Sequence, residues 1–111
     1  MSKFTTLGVV PGTGGTTIYT VPNNHAAIVK HLSFSNNNSA AKKITAQYYD
    51  SKASAYYFIA QDFSIAANTF VNLIDGNIIS LNTGDKIILT AETANTISAL
   101  ISVEEIFDPL R

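Results

Sequence analysis

The sequence predicts an all-β fold: a two-sheet antiparallel β-sandwich, jelly-roll-like, with about eight strands and an extended N-terminal arm. Three observations carry that prediction. Short runs rich in β-branched and aromatic residues recur between turn signals, at the spacing of sandwiches and barrels. Within the runs, apolar and polar residues alternate with period two, as in a strand with one wet face. Ile97, Ala99, Ile101 and Val103 oppose Ser98, Ser102 and Glu104, while Leu32 and Phe34 oppose Ser33 and Ser35, and Ile87 and Leu89 oppose Lys86 and Thr90. No segment sustains a helical period, so the strands can hide their apolar faces only against another sheet or by closing on themselves.

Residues 1–15 end in "VVPGTGG", where Pro11 and three glycines oppose regular structure, and they are read as an extended or mobile arm preceding a domain of residues 16–111. The first strand, Thr16 to Val21, stops at Pro22-Asn23-Asn24, and the second, Ala26 to Ser35, stops at Asn36-Asn37-Asn38. Lys43 to Tyr49 closes at Asp50-Ser51 and is followed by Ala55 to Gln61. Thr69 to Ile74 and Asn77 to Leu81 flank Asp75-Gly76, which reads as a tight hairpin. Lys86 to Ala91 follows Gly84-Asp85, and Thr96 to Ile106 ends the set. The last strand is expected beside an early one.

The 111 residues suffice for one domain with one core. Seven basic and eight acidic residues leave a net charge of -1, with no basic stripe to track phosphates, so nucleic acid is not an expected partner. No cysteine is present, which excludes a disulfide framework and thiolate metal sites. Neither a signal peptide nor a membrane helix is expected from the apolar runs. Charged residues make up only 14 % of the chain. Its polar surface must therefore consist largely of Asn, Thr and Ser, whose neutral groups can be re-paired across an interface without burying net charge. Such a surface favours assembly.

Both histidines lie in "HAAIVKH". On one extended strand His25 and His31 would share a face about 20 Å apart, too far to share a zinc ion that needs nitrogens ~2 Å away. His25 reads as a turn residue and His31 as an outward neighbour of Val29. The tyrosine pairs Tyr48-Tyr49 and Tyr56-Tyr57, followed by Phe58, fall on two strands expected to form a hairpin; cross-strand packing explains them, and stacking on a sugar is the functional alternative. Asp50, Asp62, Asp75 and Asp85 each sit at an expected turn, without the spacing of a calcium loop. "PGTGGTT" lacks the lysine of a phosphate-binding loop and precedes a strand, and Asn37-Asn38-Ser39 fits a glycosylation acceptor only formally. No nucleophile motif or carboxylate pair stands out, so no catalytic, cofactor or metal residues are expected and the chain is not read as an enzyme.

The stretches "TTIYTVPNNHAAIVKHLSFSNNNSAAKKITAQYYD" and "IAANTFVNLIDGNIISLNTGDKIILTAETANTISALISVEE" together resemble small virion structural proteins of tailed bacteriophages. The resemblance spans residues 16–105 and rests on Tyr19 to Pro22, Asn36, Ile65 to Asn68, Leu81 to Asp85, and Ser102 to Glu105; Ala66 stands where such proteins usually carry proline. It implies a β-sandwich on the virion, assembled in the host cytoplasm: a capsid decoration or cement protein that binds the major capsid protein as a homotrimer. A tail fibre or baseplate adaptor that binds tail proteins, or a carbohydrate-binding module using Tyr49 or Tyr57, is the alternative.

Overall fold

The computed structural model describes residues 2–110, and Met1 of the expected arm and Arg111 of the expected domain lie outside the described residues. The alternating runs form strands in the order β1 (Ser2–Val9), β2 (Thr16–Thr20), β3 (His25–Asn36), β4 (Lys42–Asp50), β5 (Ala55–Ile65), β6 (Phe70–Leu81), β7 (Lys86–Ala91) and β8 (Ile97–Phe107). Pairing is nested and antiparallel throughout: β1 with β8, β2 with β7, β3 with β6, and β4 with β5. The chain is thus a ribbon doubled back between β4 and β5. Rolling that ribbon brings β3 against β8 and β4 against β7, which completes two four-stranded sheets ordered β1-β8-β3-β6 and β2-β7-β4-β5. This is the jelly-roll sandwich the sequence predicts.

The four inner strands supply most of the core. Val29, Leu32 and Phe34 of β3 and Ala99, Ile101 and Val103 of β8 are buried against Ile44 and Ala46 of β4 and Ile87 and Leu89 of β7. Their polar neighbours in sequence point outward, as period two requires. The two sheets are also joined by a hydrogen bond from the Tyr19 hydroxyl to Glu105 Oε2, 2.6 Å long. Burial and the adjacent Glu105 carboxylate push the Tyr19 hydroxyl above its ordinary pKa. Among the described residues no helix is long and apolar enough to cross a membrane.

Three expectations need correction. Residues 2–9 are not a free arm but the edge strand β1, in register with β8 from Ser2↔Ile106 to Val9↔Ala99. The breakers Pro11 and the glycines act only on the connection to β2. Nor does Asp75-Gly76 reverse the chain: β6 runs on through it, pairing with β3 on both sides as Asp75↔His31 and Ile79↔Val29. Gly76, at φ 89°, supplies a bulge there, because both flanks are claimed by the same neighbouring strand. Finally, β3 has its own irregularity between Val29 and His31, so its inward set shifts from Ala27 and Val29 to Leu32 and Phe34. His25 and His31 therefore stand on opposite faces of the sheet, not on one.

Asn36 closes β3 as a buried bolt. Its Nδ2 donates to the carbonyls of Ala40 (3.0 Å) and Ile65 (2.9 Å), and its Oδ1 accepts from the Asn38 amide (2.9 Å). One side chain thus ties the β3–β4 connection to the end of β5. Asn36→Ala is expected to destabilise the fold by about 2–3 kcal/mol, because buried carbonyls and an amide lose their partners. Chemical denaturation measures this, with an unchanged slope and a lower midpoint.

Candidate functional site

The outer face of the β1-β8-β3-β6 sheet is built by register. Thr6, Ser102 and His31 form one row; Gly8, Leu100, Ser33 and Asn72 the next; Ser98, Ser35 and Phe70 the third. The last two rows carry no charge. Into this hydroxyl-rich surface project Leu100, 50 % exposed, and Phe70, 71 % exposed. They flank an open cleft of ≈ 270 Å³ lined by Ser33, Phe34, Ser35, Phe70, Ser98 and Leu100. A Cβ at Gly8 would come 3.1 Å from Leu100 Cδ2, so the missing side chain on β1 is what lets the leucine lie across the neighbouring strand. At the opposite end of the face Lys30 pairs with Glu104 at 3.3 Å and sits 5.7 Å over the Phe4 ring. The Lys30–Glu104 pair and the exposed Phe4 ring thus lie at one end of the face, and the uncharged rows around Leu100 and Phe70 at the other.

The second surface is the β4–β5 edge of the other sheet. The expected tyrosine hairpin forms, with Tyr48↔Tyr57 and Tyr49↔Tyr56 in register. Tyr48 and Tyr57 stack with centroids 6.1 Å apart, and Tyr49 and Tyr56 lie tilted at 4.7 Å. Cross-strand packing therefore accounts for the pairs. It does not account for three successive exposed rings on an edge strand: Tyr56, Tyr57 and Phe58 are 60 %, 53 % and 57 % exposed. Lys86 Nζ lies 5.5 Å above the Tyr49 ring and has no salt bridge among the described residues. With Gln47 opposite Phe58, the outer side of this edge combines aromatic faces, an amide and an ammonium.

Asp85 fixes that edge from below. It is fully buried, yet its carboxylate accepts from the Ser51 amide (3.0 Å) and the Asn82 amide (2.8 Å), with the Tyr48 hydroxyl at 3.2 Å and Ser51 Oγ at 3.0 Å. Burial alone would raise its pKa, but these donors outweigh burial and hold it below the ordinary carboxylate value. Burial, and then the negative charges of Asp85 and Asp50, push the Tyr48 hydroxyl up to about 12. The knot joins the β4–β5 turn to the β6–β7 turn and orients Tyr48, on which Tyr57 stacks.

The other candidates have structural duties. Asp50 Oδ1 accepts from the Lys52 amide at 3.1 Å, as a turn cap should. Asp62 and Asp75 lie at irregularities inside β5 and β6 rather than at turns, which corrects their expected placement. No group of three metal-ligating side chains occurs among the described residues. His25 packs edge-on to Phe107 at 5.4 Å, with Nδ1 2.8 Å from the Asn23 carbonyl; it opens β3 instead of forming a turn. His31 stands opposite Ser102 on the outer face. Asn37 Nδ2 donates to Ser98 Oγ at 3.3 Å, beside the cleft. Leu100 and Phe70 were the residues missed. The signal was Leu100 itself, an apolar residue in phase with Ser98, Ser102 and Glu104 on the polar side of its strand.

No family model matches the chain, and no curated protein matches it in sequence. Solved structures do match in fold. A chain of the Helicobacter pylori bacteriophage KHP30 capsid superposes with a TM-score of 0.55 at 11 % identity, over 97 % of this chain and 88 % of that one. A chain of the infectious bursal disease virus particle gives 0.57 at 9 % identity over 96 % of this chain, but this chain spans only 31 % of its length. A Bacillus endospore appendage protein, from a family of disulfide-linked pili, gives 0.53 at 9 % identity over 97 % of this chain and 88 % of that one. At these identities the likeness establishes a shared β fold.

The carboxylate knot has a pH signature. A group whose pKa is lowered on folding contributes stability above its unfolded value, roughly 3.9, and loses that contribution as pH falls through the lower folded value. Wild-type stability is therefore expected to decline below about pH 4. Asp85→Asn should cost about 3 kcal/mol at pH 7, by leaving donors facing an amide, and should flatten that part of the acid decline. Melting curves between pH 2 and pH 7 read both effects; an equal acid decline in the two proteins would contradict the role given to Asp85.

Proposed function

We propose that this protein is a non-enzymatic structural component of a tailed-phage virion, a capsid decoration or cement protein that binds the major capsid protein and sister copies as a homotrimer. The observation that carries this reading is the uncharged outer face around Leu100 and Phe70, where Ser33, Ser35 and Ser98 offer neutral hydroxyls beside exposed apolar side chains. Docking such a face removes apolar area from water without stranding charge, and its hydroxyls can re-pair across the interface. The fold likeness to a phage capsid chain and a viral particle chain supports the same reading. The mechanism is adhesive and uses no cofactor: contact area bridges neighbouring capsomers. A tail or baseplate adaptor would use the same chemistry at another address, and copy number separates the two, hundreds per particle for the capsid surface and a handful for the tail.

A second reading has its own observation. The exposed Tyr56 and Phe58, with Gln47 and Lys86 beside them, form a surface on which a sugar ring could stack while amide and ammonium engage its hydroxyls. Of the two expected platforms, Tyr49 shares this side with Tyr56, Phe58 and Gln47, whereas Tyr57 shares the other side of the strand pair with Tyr48.

Leu100→Asp and Phe70→Asp are expected to weaken binding to undecorated capsids at least tenfold without lowering the melting temperature, since each places a charge where none can be paired. Undiminished decoration by both variants would reject this face as the contact. On a glycan array the wild-type chain is expected to give no signal that Tyr56→Ala abolishes; such a signal would replace the decoration reading with the carbohydrate one.

A further inference from the structure

We propose that β1 is an exchangeable strand, which leaves its place along β8 and pairs with β8 of a second copy of this chain. The inference does not rest on the proposed virion role. Every strand from β2 to β8 contributes at least one buried side chain, whereas β1 contributes none. Its inward residues Thr5, Leu7 and Val9 only skirt the core, and Thr5 Oγ1 is buried there without a hydrogen-bond partner. That hydroxyl has given up water for nothing, which weakens the strand's seat. What holds β1 is chiefly the main-chain ladder to β8, helped by the half-buried Val9 against the core, by Lys30 over the Phe4 ring at 5.7 Å, and by the contact between Thr6 Oγ1 and Ser102 Oγ at 3.0 Å. A ladder of this kind is indifferent to which copy supplies it.

The connection to β2 defines the pivot. Pro11 is buried and the Gly12 carbonyl accepts from the Ala91 amide at 3.0 Å, so the chain is pinned to the body just after β1. Val10, between the pin and the ladder, is half exposed. Rotation there frees all of Ser2–Val9, a strand that reaches about 26 Å at ~3.3 Å per residue. The released strand pairs along its whole length, so the second copy must present its β8 edge next to the Val10 hinge. Release uncovers the β8 edge from Ala99 to Ile106, a row of unpaired main-chain groups that the same strand of another copy fits in the same register. Because the pairing gained equals the pairing lost, local concentration decides the outcome, and packing copies into an assembly favours exchange.

The absence of cysteine makes a direct test available. Thr6 and Ser102 face each other in register, at a separation an antiparallel disulfide can span. Two full-length single-cysteine variants, Thr6→Cys and Ser102→Cys, distinguished by mass, are mixed at high concentration and mildly oxidised. Exchange predicts a disulfide between the two chains, with at least tenfold higher yield than between Thr6→Cys and a variant cysteine at the exposed turn position, Lys52→Cys. The double variant Thr6→Cys/Ser102→Cys reports the seat within one chain. If it closes internally while the mixed single variants give no more interchain disulfide than the Lys52→Cys control, β1 stays at home and the proposal is overturned. If the double variant instead links chain to chain, exchange is supported.

Discussion

The face-to-face burial of β3 and β8 against β4 and β7 is the contact on which the rest of this molecule depends. These strands are central in their sheets and carry most of the fully buried apolar side chains, from Val29, Leu32 and Phe34 to Ile87 and Leu89. Their apolar faces can be hidden only if the doubled ribbon rolls so that β3 meets β8 and β4 meets β7. Once that is so, the positions of the remaining strands follow. β1 and β6 become the edges of one sheet, β2 and β5 the edges of the other, and the cleft and the aromatic edge lie where the roll leaves them.

This division separates stability from interaction. Polar groups that hold the fold together are buried and well supplied: Asn36 is satisfied by carbonyls of the β3–β4 connection and of the end of β5, and Asp85 by donors from two turns. Surfaces available for contact lie on the opposite side of the same strands. Leu100 projects outward between two inward residues, Ala99 and Ile101, so the rigidity of β8 is passed directly to the outer cleft. Tyr57 is likewise held by Tyr48, whose hydroxyl is held by Asp85. A site supported in this way needs little ordering when it meets a partner, which reduces the entropic cost of binding.

Much of the architecture was legible in the sequence because inner strands must alternate. The period-two pattern of Ile97 to Val103 and of Ile87 to Leu89 is imposed by one buried and one wet face, and it survives in the structure residue by residue. Where that constraint lapses, so does legibility. β1 buries no side chain fully, hence leaves no pattern, and the proline and glycines that follow it carry the stronger local signal. Asp75-Gly76 has the local chemistry of a hairpin, but whether a positive φ makes a reversal or a bulge is decided by where the flanks pair, which is tertiary information. The irregularity between Val29 and His31 has the same character, and it alone moved His31 to the face opposite His25. Of the candidate surfaces, the tyrosine pairing was readable from two short strands; the cleft was readable only through Leu100, and Phe70 joined it through a register no local pattern encodes.

Stability resides in the inner strands, and the edge strand β1 is held chiefly by its ladder, with Val9 against the core and Phe4 beneath Lys30. Amide hydrogen exchange at the level of individual residues tests this most directly, because protection follows the free energy of local opening. Amides in the middle of β3, β4, β7 and β8 are expected to exchange only with global unfolding, and those of Ser2–Val9 that bond to β8 much faster, through local release. Protection of β1 equal to that of the centre of β3 would contradict the account.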